Sequence, residues 1–150
     1  MSRESEWHVH WKATLQHRLG AELEVHMGAH RADAVLGELV IELQAGYLTV
    51  DQIRHRETFY GDHMVWLYDG ALFARRIHWG QRGFWIKNGP ACLTAHRRPL
   101  FVASPSSRRI LRVTSLSVLG NADGPSRVLG RGHAYSRAEF LDLLRQMASR

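Results

Sequence analysis

Cysteine is almost missing from this sequence: Cys92 stands alone in 150 residues. That excludes an intrachain disulfide and any zinc site built from several thiolates. Lysine is nearly as scarce. Of 20 basic residues only Lys12 and Lys87 are lysines, the rest being arginines, against 14 acidic side chains, for a formal charge of +6. The planar guanidinium grips phosphate through two parallel N–H donors, so this bias favours a polyanionic partner, although a genomic arginine preference leaves the same mark. No apolar run approaches the roughly 20 residues of a membrane helix, and the opening Met1-Ser-Arg-Glu-Ser-Glu6 has no signal-peptide pattern. The expectation is a soluble, cytoplasmic protein with no membrane partner. By length it is one domain, large enough to bury its own core.

What is present is organised around residues 30–44. Two β-type runs flank Gly37-Glu38, and glycine at the first central position suits a two-residue type II′ hairpin. That turn sets Leu36 opposite Leu39, Val35 opposite Val40, Ala34 opposite Ile41, and Asp33 opposite Glu42. Opposed side chains on antiparallel strands have Cβ atoms roughly 5 Å apart on one face, so two like charges meet inside an apolar ladder. A divalent cation held by both is the usual compensation. Gln44 shares the face of Glu42, two residues away. The alternative is that Asp33 and Glu42 form the wet side of a half-exposed sheet.

In chain order, residues 4–19 carry Trp7, Trp11, Leu15 and Leu19 at i, i+4, i+8 and i+12, the buried stripe of a helix that Gly20 ends. His8 and Lys12 border that stripe, and Glu4 projects near it if already helical. They either reach the end of a sheet beneath or snorkel at the margin. Residues 21–27 alternate as a first strand. Thr49-Val-Asp-Gln52 is a capping box opening a helix to Tyr60, with Val50, Ile53, Glu57 and Tyr60 on one side and Arg56 near its edge. Residues 63–68 form the next strand, and a strand–helix–strand crossover sets its two strands parallel. The expected fold class is therefore α/β, an α-β-β-β-α-β mixed sheet flanked by helices, with a core over about 4–101. The extension over about 102–150 is less regular. Residues 83–87 read as a short strand, Pro90 opens a helix through about Arg97, and Leu100–Ala103 and Arg109–Leu116 read as later strands. Gly120 to Gly132 reads as a mobile loop. Ser136-Arg-Ala-Glu139 is a second capping box, opening a terminal helix with Phe140, Leu143, Leu144 and Met147 inward.

The segments Glu4-Ser-x-Trp-His-x-x-Trp-Lys12, His30-Arg-Ala-Asp33, Val40-Ile-Glu-Leu-Gln44, Ile53-x-x-Arg-Glu-x-Phe-Tyr60 and Trp66-Leu-Tyr-Asp69, in this order, resemble the competence protein CoiA-like nucleases of the PD-(D/E)XK endonuclease superfamily. Phe84-Trp-Ile-Lys87 and Arg98-Pro-Leu-Phe101 are similar to later segments of that family. The likeness is carried by residues 4–69, thins towards 101 and fades beyond. It implies the restriction-endonuclease-like core and a metal-dependent DNA endo- or exonuclease, acting in DNA uptake, recombination, repair or defence. It also implies Mg²⁺ or Mn²⁺ on Asp33 and Glu42, joined by the backbone carbonyl of Leu43. His8 matches a helix-one histidine that helps hold metal in RecB-like nucleases, and Glu4 would complete a second ion site.

Gln44 occupies the position that is usually Lys, and Gln can neither act as a base nor carry charge. Lys12 or Lys87 would then supply the cation, or the metal alone would lower the pKa of the attacking water. Arg31, the hairpin partner of Gln44, Arg56 and Lys87 are placed for phosphates of DNA, unless they are ordinary solvated charges. Ala32 stands where the superfamily name has Pro, and Val-Ala-Ser-Pro after Phe101 lacks an expected acidic residue. Two other classes stay open: a catalytically silent nucleic-acid-binding module on the same fold, and an interaction subunit of a larger complex. Cleavage of both strands would require a homodimer or a larger nucleoprotein complex.

Overall fold

The computed structural model describes residues 4–73, 75–80, 83–89, 91–105, 107–119 and 127–150, with the backbone alone at residues 80, 83, 85, 87–89, 91, 119 and 127. Three helices, α1 (Glu6–Leu19), α2 (Val50–Tyr60) and α3 (Arg137–Ala148), flank one sheet. Its strands are β1 (Glu22–Met27), β2 (His30–Leu36), β3 (Leu39–Gln44), β4 (Met64–Asp69), β5 (Ile77–Gly80), β6 (Gly83–Gly89), β7 (Leu100–Ala103), β8 (Arg109–Leu119) and β9 (Arg127–Ser136). Their spatial order is β1-β2-β3-β4-β7-β8-β9-β6-β5. β3, β4 and β7 run parallel, and all other neighbours are antiparallel. The α-β-β-β-α-β order expected from the sequence is present, including the parallel β3–β4 pair across the α2 crossover. Among the described residues no helix is long and apolar enough to cross a membrane.

The central strands are buried on both faces, which is why they read as continuous apolar runs rather than alternating ones. Ile41, Leu43, Val65, Leu67 and Phe101 face α1 and α3, where Trp11, Leu15, Phe140 and Leu144 cover them. Val40, Met64, Trp66, Tyr68, Leu100 and Val102 face the other way, under Ile53 of α2 and Phe73 and Leu93 of two 3-10 turns. Both capping boxes form as read: Thr49 with Gln52 and Ser136 with Glu139.

Three expectations need correcting. Ser5, in extended backbone, is the N-cap of α1 and accepts from the His8 N–H at 3.2 Å, so the helix starts at Glu6 and Glu4 precedes it. The helix expected up to Arg97 is only a 3-10 turn, Ala91–Ala95, and Pro90 lies outside the described residues. Residues 127–132, read as part of a mobile loop, belong to β9; their glycines are strand residues, while 120–126 lie outside the described residues. Gly130 and Gly132 are there for clearance, because a Cβ on Gly132 would stand 1.7 Å from the Arg112 carbonyl oxygen, beside a register shift in β8 between Val113 and Ser115. Gly132→Ala is expected to lose at least about 2 kcal/mol in urea denaturation; a midpoint equal to wild type would show that the bulge yields freely.

Candidate metal centre

The β2–β3 hairpin forms in the expected register, with Leu36–Leu39, Val35–Val40 and Ala34–Ile41 paired. Gly37 takes φ +60° and Glu38 stays out of the left-handed region, as a type II′ turn requires. The ladder then stops. β2 stays paired to β1 as far as His30, and β3 goes with β4 as far as Gln44. The two strands separate at the Asp33–Glu42 position, and side chains take over their hydrogen bonds. The Asp33 N–H donates to Glu42 Oε2 at 3.3 Å, and the Leu43 N–H donates to Asp33 Oδ2 at 2.9 Å. The two acids therefore meet on one side of the sheet, as the turn geometry predicts.

Glu42 is only 3% exposed. Burial, followed by the negative charge of Asp33 beside it, pushes the Glu42 carboxyl up to about 8, with Arg56 acting weakly in the opposite sense. Burial also works against Asp33, but hydrogen bonds from His8, Glu42 and the Leu43 N–H outweigh it and hold Asp33 below the usual carboxylate range. The pair thus keeps one proton near neutral pH, on Glu42, because two adjacent buried carboxylates cannot both ionise without a counter-charge.

The parting of β2 and β3 lets both helix layers reach this pair. From α1, His8 Nε2 lies 3.6 Å from Asp33 Oδ1. From α2 come Arg56, whose Nη1 donates to Gln44 Oε1 at 3.4 Å, and Tyr60. Among the described residues the buried Tyr60 hydroxyl has no partner in good hydrogen-bond geometry, although it lies close enough to Glu42 for that carboxyl to act on it. Burial and then the Glu42 charge push it up to about 12, so it keeps its proton.

Other predicted site residues are occupied differently. Lys12, 7% exposed, bonds to the carboxylates of Glu4 and Glu24. Burial pulls its ammonium down, but those two partners overcome the pull and leave it above its ordinary value. Lys12 is therefore a fixed positive charge that senses Asp33, with no spare lone pair for use as a base. Glu4 meets Lys12, not the Asp33–Glu42 pair. Arg31 does not pair with Gln44, because β2 has left β3 by that point; it lies opposite His26, and its Nε bonds Glu24 Oε2 at 2.6 Å. Gln44 instead registers with Tyr68 of β4. The Lys87 side chain lies outside the described residues.

Glu24 went unnoticed in the sequence, where it is one polar position of an alternating strand. The Gly28-Ala29 turn sets Met27 opposite His30, and the same count puts Glu24 opposite Asp33, so Asp33 is flanked by acids on both neighbouring strands. The chain relieves this by turning Glu24 away. Its φ of +54° is the one left-handed non-glycine value among the described residues, and it delivers the carboxylate to Lys12 and Arg31. Strand alternation breaks there too: Leu23 and Ala34 pack on the α1–α3 side, while Val25 and Ala32 pack on the α2 side.

Among the described residues no three His, Cys, Asp or Glu side chains converge as a ready metal cage. A hard cation such as Mg²⁺ does not need one, since it keeps several waters and is commonly held by one or two carboxylates. Asp33 and Glu42 fit that pattern. Each spends one oxygen on a backbone N–H, their mutual repulsion asks for positive charge, and the Tyr60 hydroxyl stands beside Glu42. Comparison of the chain with protein-family models, with curated proteins and with solved structures finds no match in any of the three.

Proposed function

We propose that this chain is a metal-dependent deoxyribonuclease of PD-(D/E)XK architecture, hydrolysing phosphodiester bonds of DNA. The observation that carries this reading is the parting of β2 from β3 at Asp33 and Glu42, which leaves a buried acidic pair short of positive charge. The resemblance of residues 4–69 to CoiA-like nucleases supports it, as does the arginine-rich charge balance. Held by Asp33 and Glu42, Mg²⁺ or Mn²⁺ would offset phosphate charge and lower the pKa of the attacking water. Glu42 gives up its proton when its carboxylate is used. Asp33 is already ionised and is oriented by His8 and the Leu43 N–H. Arg56 brings a guanidinium beside Gln44 on the α2 side, where it meets the phosphate backbone. Tyr60 keeps its O–H proton beside Glu42 and would donate it to an anionic oxygen entering between α2 and β3. Gln44 orients through its amide and moves no proton.

One observation favours a second reading, a silent DNA-binding module: the usual lysine is replaced by Gln44, and Lys12 is tied to Glu4 and Glu24. Plasmid and linear DNA incubated with Mn²⁺ separate the two. Wild type should cut, and Asp33→Ala and Glu42→Ala should each lose at least about a hundredfold in rate, the scale of several kcal/mol of charge stabilisation. Retention of DNA with no cutting by any of the three proteins would establish the silent module instead.

A further inference from the structure

A cavity of about 670 Å³ opens at the ends of β4 and β7, between α1 and the start of α3. Its wall includes Trp7, Asp69, Ser104, Arg108, Arg109 and Arg137. The three arginines are exposed and come from two separate parts of the chain, yet none has a carboxylate within ion-pair distance among the described residues. Among the described residues Asp69 is the one acid on the wall, and its Oδ1 accepts from the Ala71 N–H at 3.0 Å.

Arg137 is held ready rather than loose. Its guanidinium lies over the Trp11 ring at 4.7 Å, and its Nη2 donates to His10 Nε2 at 2.6 Å. Arg109 rests over Trp79 at 5.4 Å. Partial burial and then the charges of Arg108 and Arg18 act against the charged form of Arg137, as expected where guanidinium groups crowd together. The volume suits a small ligand. Trp7 adds an aromatic wall of the kind on which bases stack.

From this arrangement we infer that the cavity binds a phosphorylated nucleotide, its phosphate on Arg108, Arg109 and Arg137 and its base against Trp7. The same chemistry is found in a free mononucleotide and in the phosphate-bearing end of a strand. Its position favours the strand end. Trp7 is next in sequence to His8, their rings 5.8 Å apart, and His8 approaches Asp33. A terminal nucleotide seated here would be held by the same helix that brings His8 to the acidic pair. That positioning role rests on the nuclease reading, whereas binding by the cavity does not.

Binding is measured without divalent metal, by tryptophan fluorescence and calorimetry. The probes are single-stranded oligonucleotides bearing a 5′ phosphate, a 3′ phosphate or neither, together with the matching mononucleotide. A terminal phosphate should tighten binding about tenfold or more. Arg108→Ala, at an exposed position, should erase that difference, and Arg137→Gln should do the same. Asp33→Ala should leave it intact, so loss of the nuclease reading and loss of this one are told apart. Mononucleotide binding with the same dependence on Arg108 would support the site and identify free nucleotide as its ligand. Equal affinity for phosphorylated and unphosphorylated strands, or an equal loss for all of them in Arg108→Ala, would overturn the inference in favour of general attraction to DNA.

Discussion

The Glu42→Gln variant is expected to unfold at a higher temperature than wild type at pH 8 in the absence of metal, and to lose all stabilisation by Mn²⁺. Glu42 titrates near 8 in the folded chain against 4.5 for an ordinary glutamate, so the folded state holds its proton more tightly than the unfolded state does. The carboxyl therefore favours folding at low pH. That advantage is lost as pH rises from about 4.5 and is gone above about 8. At about 1.4 kcal/mol per pH unit the penalty is on the order of 3–5 kcal/mol. Asp33, whose carboxyl is lowered, works in the opposite sense and returns part of it, its contribution being present at neutral pH and lost in acid. His96, lowered by burial, likewise costs stability as pH falls, so the informative quantity is the difference between wild type and Glu42→Gln. Glutamine mimics the protonated acid: it accepts from the Asp33 N–H and donates to the Asp33 carboxylate.

At 2–4 °C per kcal/mol for a chain of this size, the gain at pH 8 is about 6–20 °C, shrinking towards zero near pH 5. Wild type should show the complementary metal effect. Mn²⁺ must displace the shared proton, so affinity should rise about tenfold per pH unit up to about 8 and then level off. Differential scanning fluorimetry across pH 5–9 with and without Mn²⁺ measures both. A variant no more stable than wild type at pH 8, with unchanged response to Mn²⁺, would mean that Glu42 is not the proton-holding member of the pair.

Glu57→Ala is expected to cost about 3–5 kcal/mol, or roughly 10 °C or more in thermal midpoint. Glu57 belongs to the same α2 sequence motif as Arg56 and Tyr60, but its carboxylate points into the core, 3% exposed. It accepts from the Trp66 indole N–H at 2.9 Å, from the Arg97 N–H at 3.0 Å and from the Arg98 N–H at 3.1 Å. These bonds tie α2 to β4 and to the chain entering β7. Removing the carboxylate strands three donors, two of them main-chain, around a position that is itself almost wholly buried. Glu57→Gln should recover only part of the loss, since its amide brings donors of its own to a site already furnished with donors. Chemical denaturation checks this, and a loss below about 1 kcal/mol in Glu57→Ala would show that water fills the space. The two predictions contrast two uses of buried carboxylate. Glu57 is fully hydrogen-bonded and stabilises; Glu42 is crowded by Asp33 and destabilises until protonated or given a cation.

Local rules carried much of the architecture. Capping boxes at Thr49 and Ser136 start α2 and α3, and the aromatic stripe Trp7–Trp11–Leu15 made α1 legible. Glycine at position 37 sets the hairpin register from which the meeting of Asp33 and Glu42 follows. These depend on contacts a few residues apart, and such contacts leave a periodic or positional mark in the chain. Beyond residue 104, β8 is legible over Arg109–Leu116, whereas β9 is not: it carries glycine and arginine where a strand usually shows β-branched alternation, and its pairing rests on close backbone approach at Gly132 and on the sheet beside it.

By itself, then, the sequence determined where α1, α2, α3 and the hairpin form and that two acids would confront each other. Only the tertiary structure decided what becomes of the charges around them. Lys12 is consumed by Glu4 and Glu24, Arg31 is drawn to Glu24, the Tyr60 hydroxyl is buried beside Glu42, and β2 parts from β3 so that both helix layers reach Asp33 and Glu42. The reason is physical. Hairpin register is a local count, whereas the partner a buried charge finds depends on which distant segments the packing of the whole sheet brings to it.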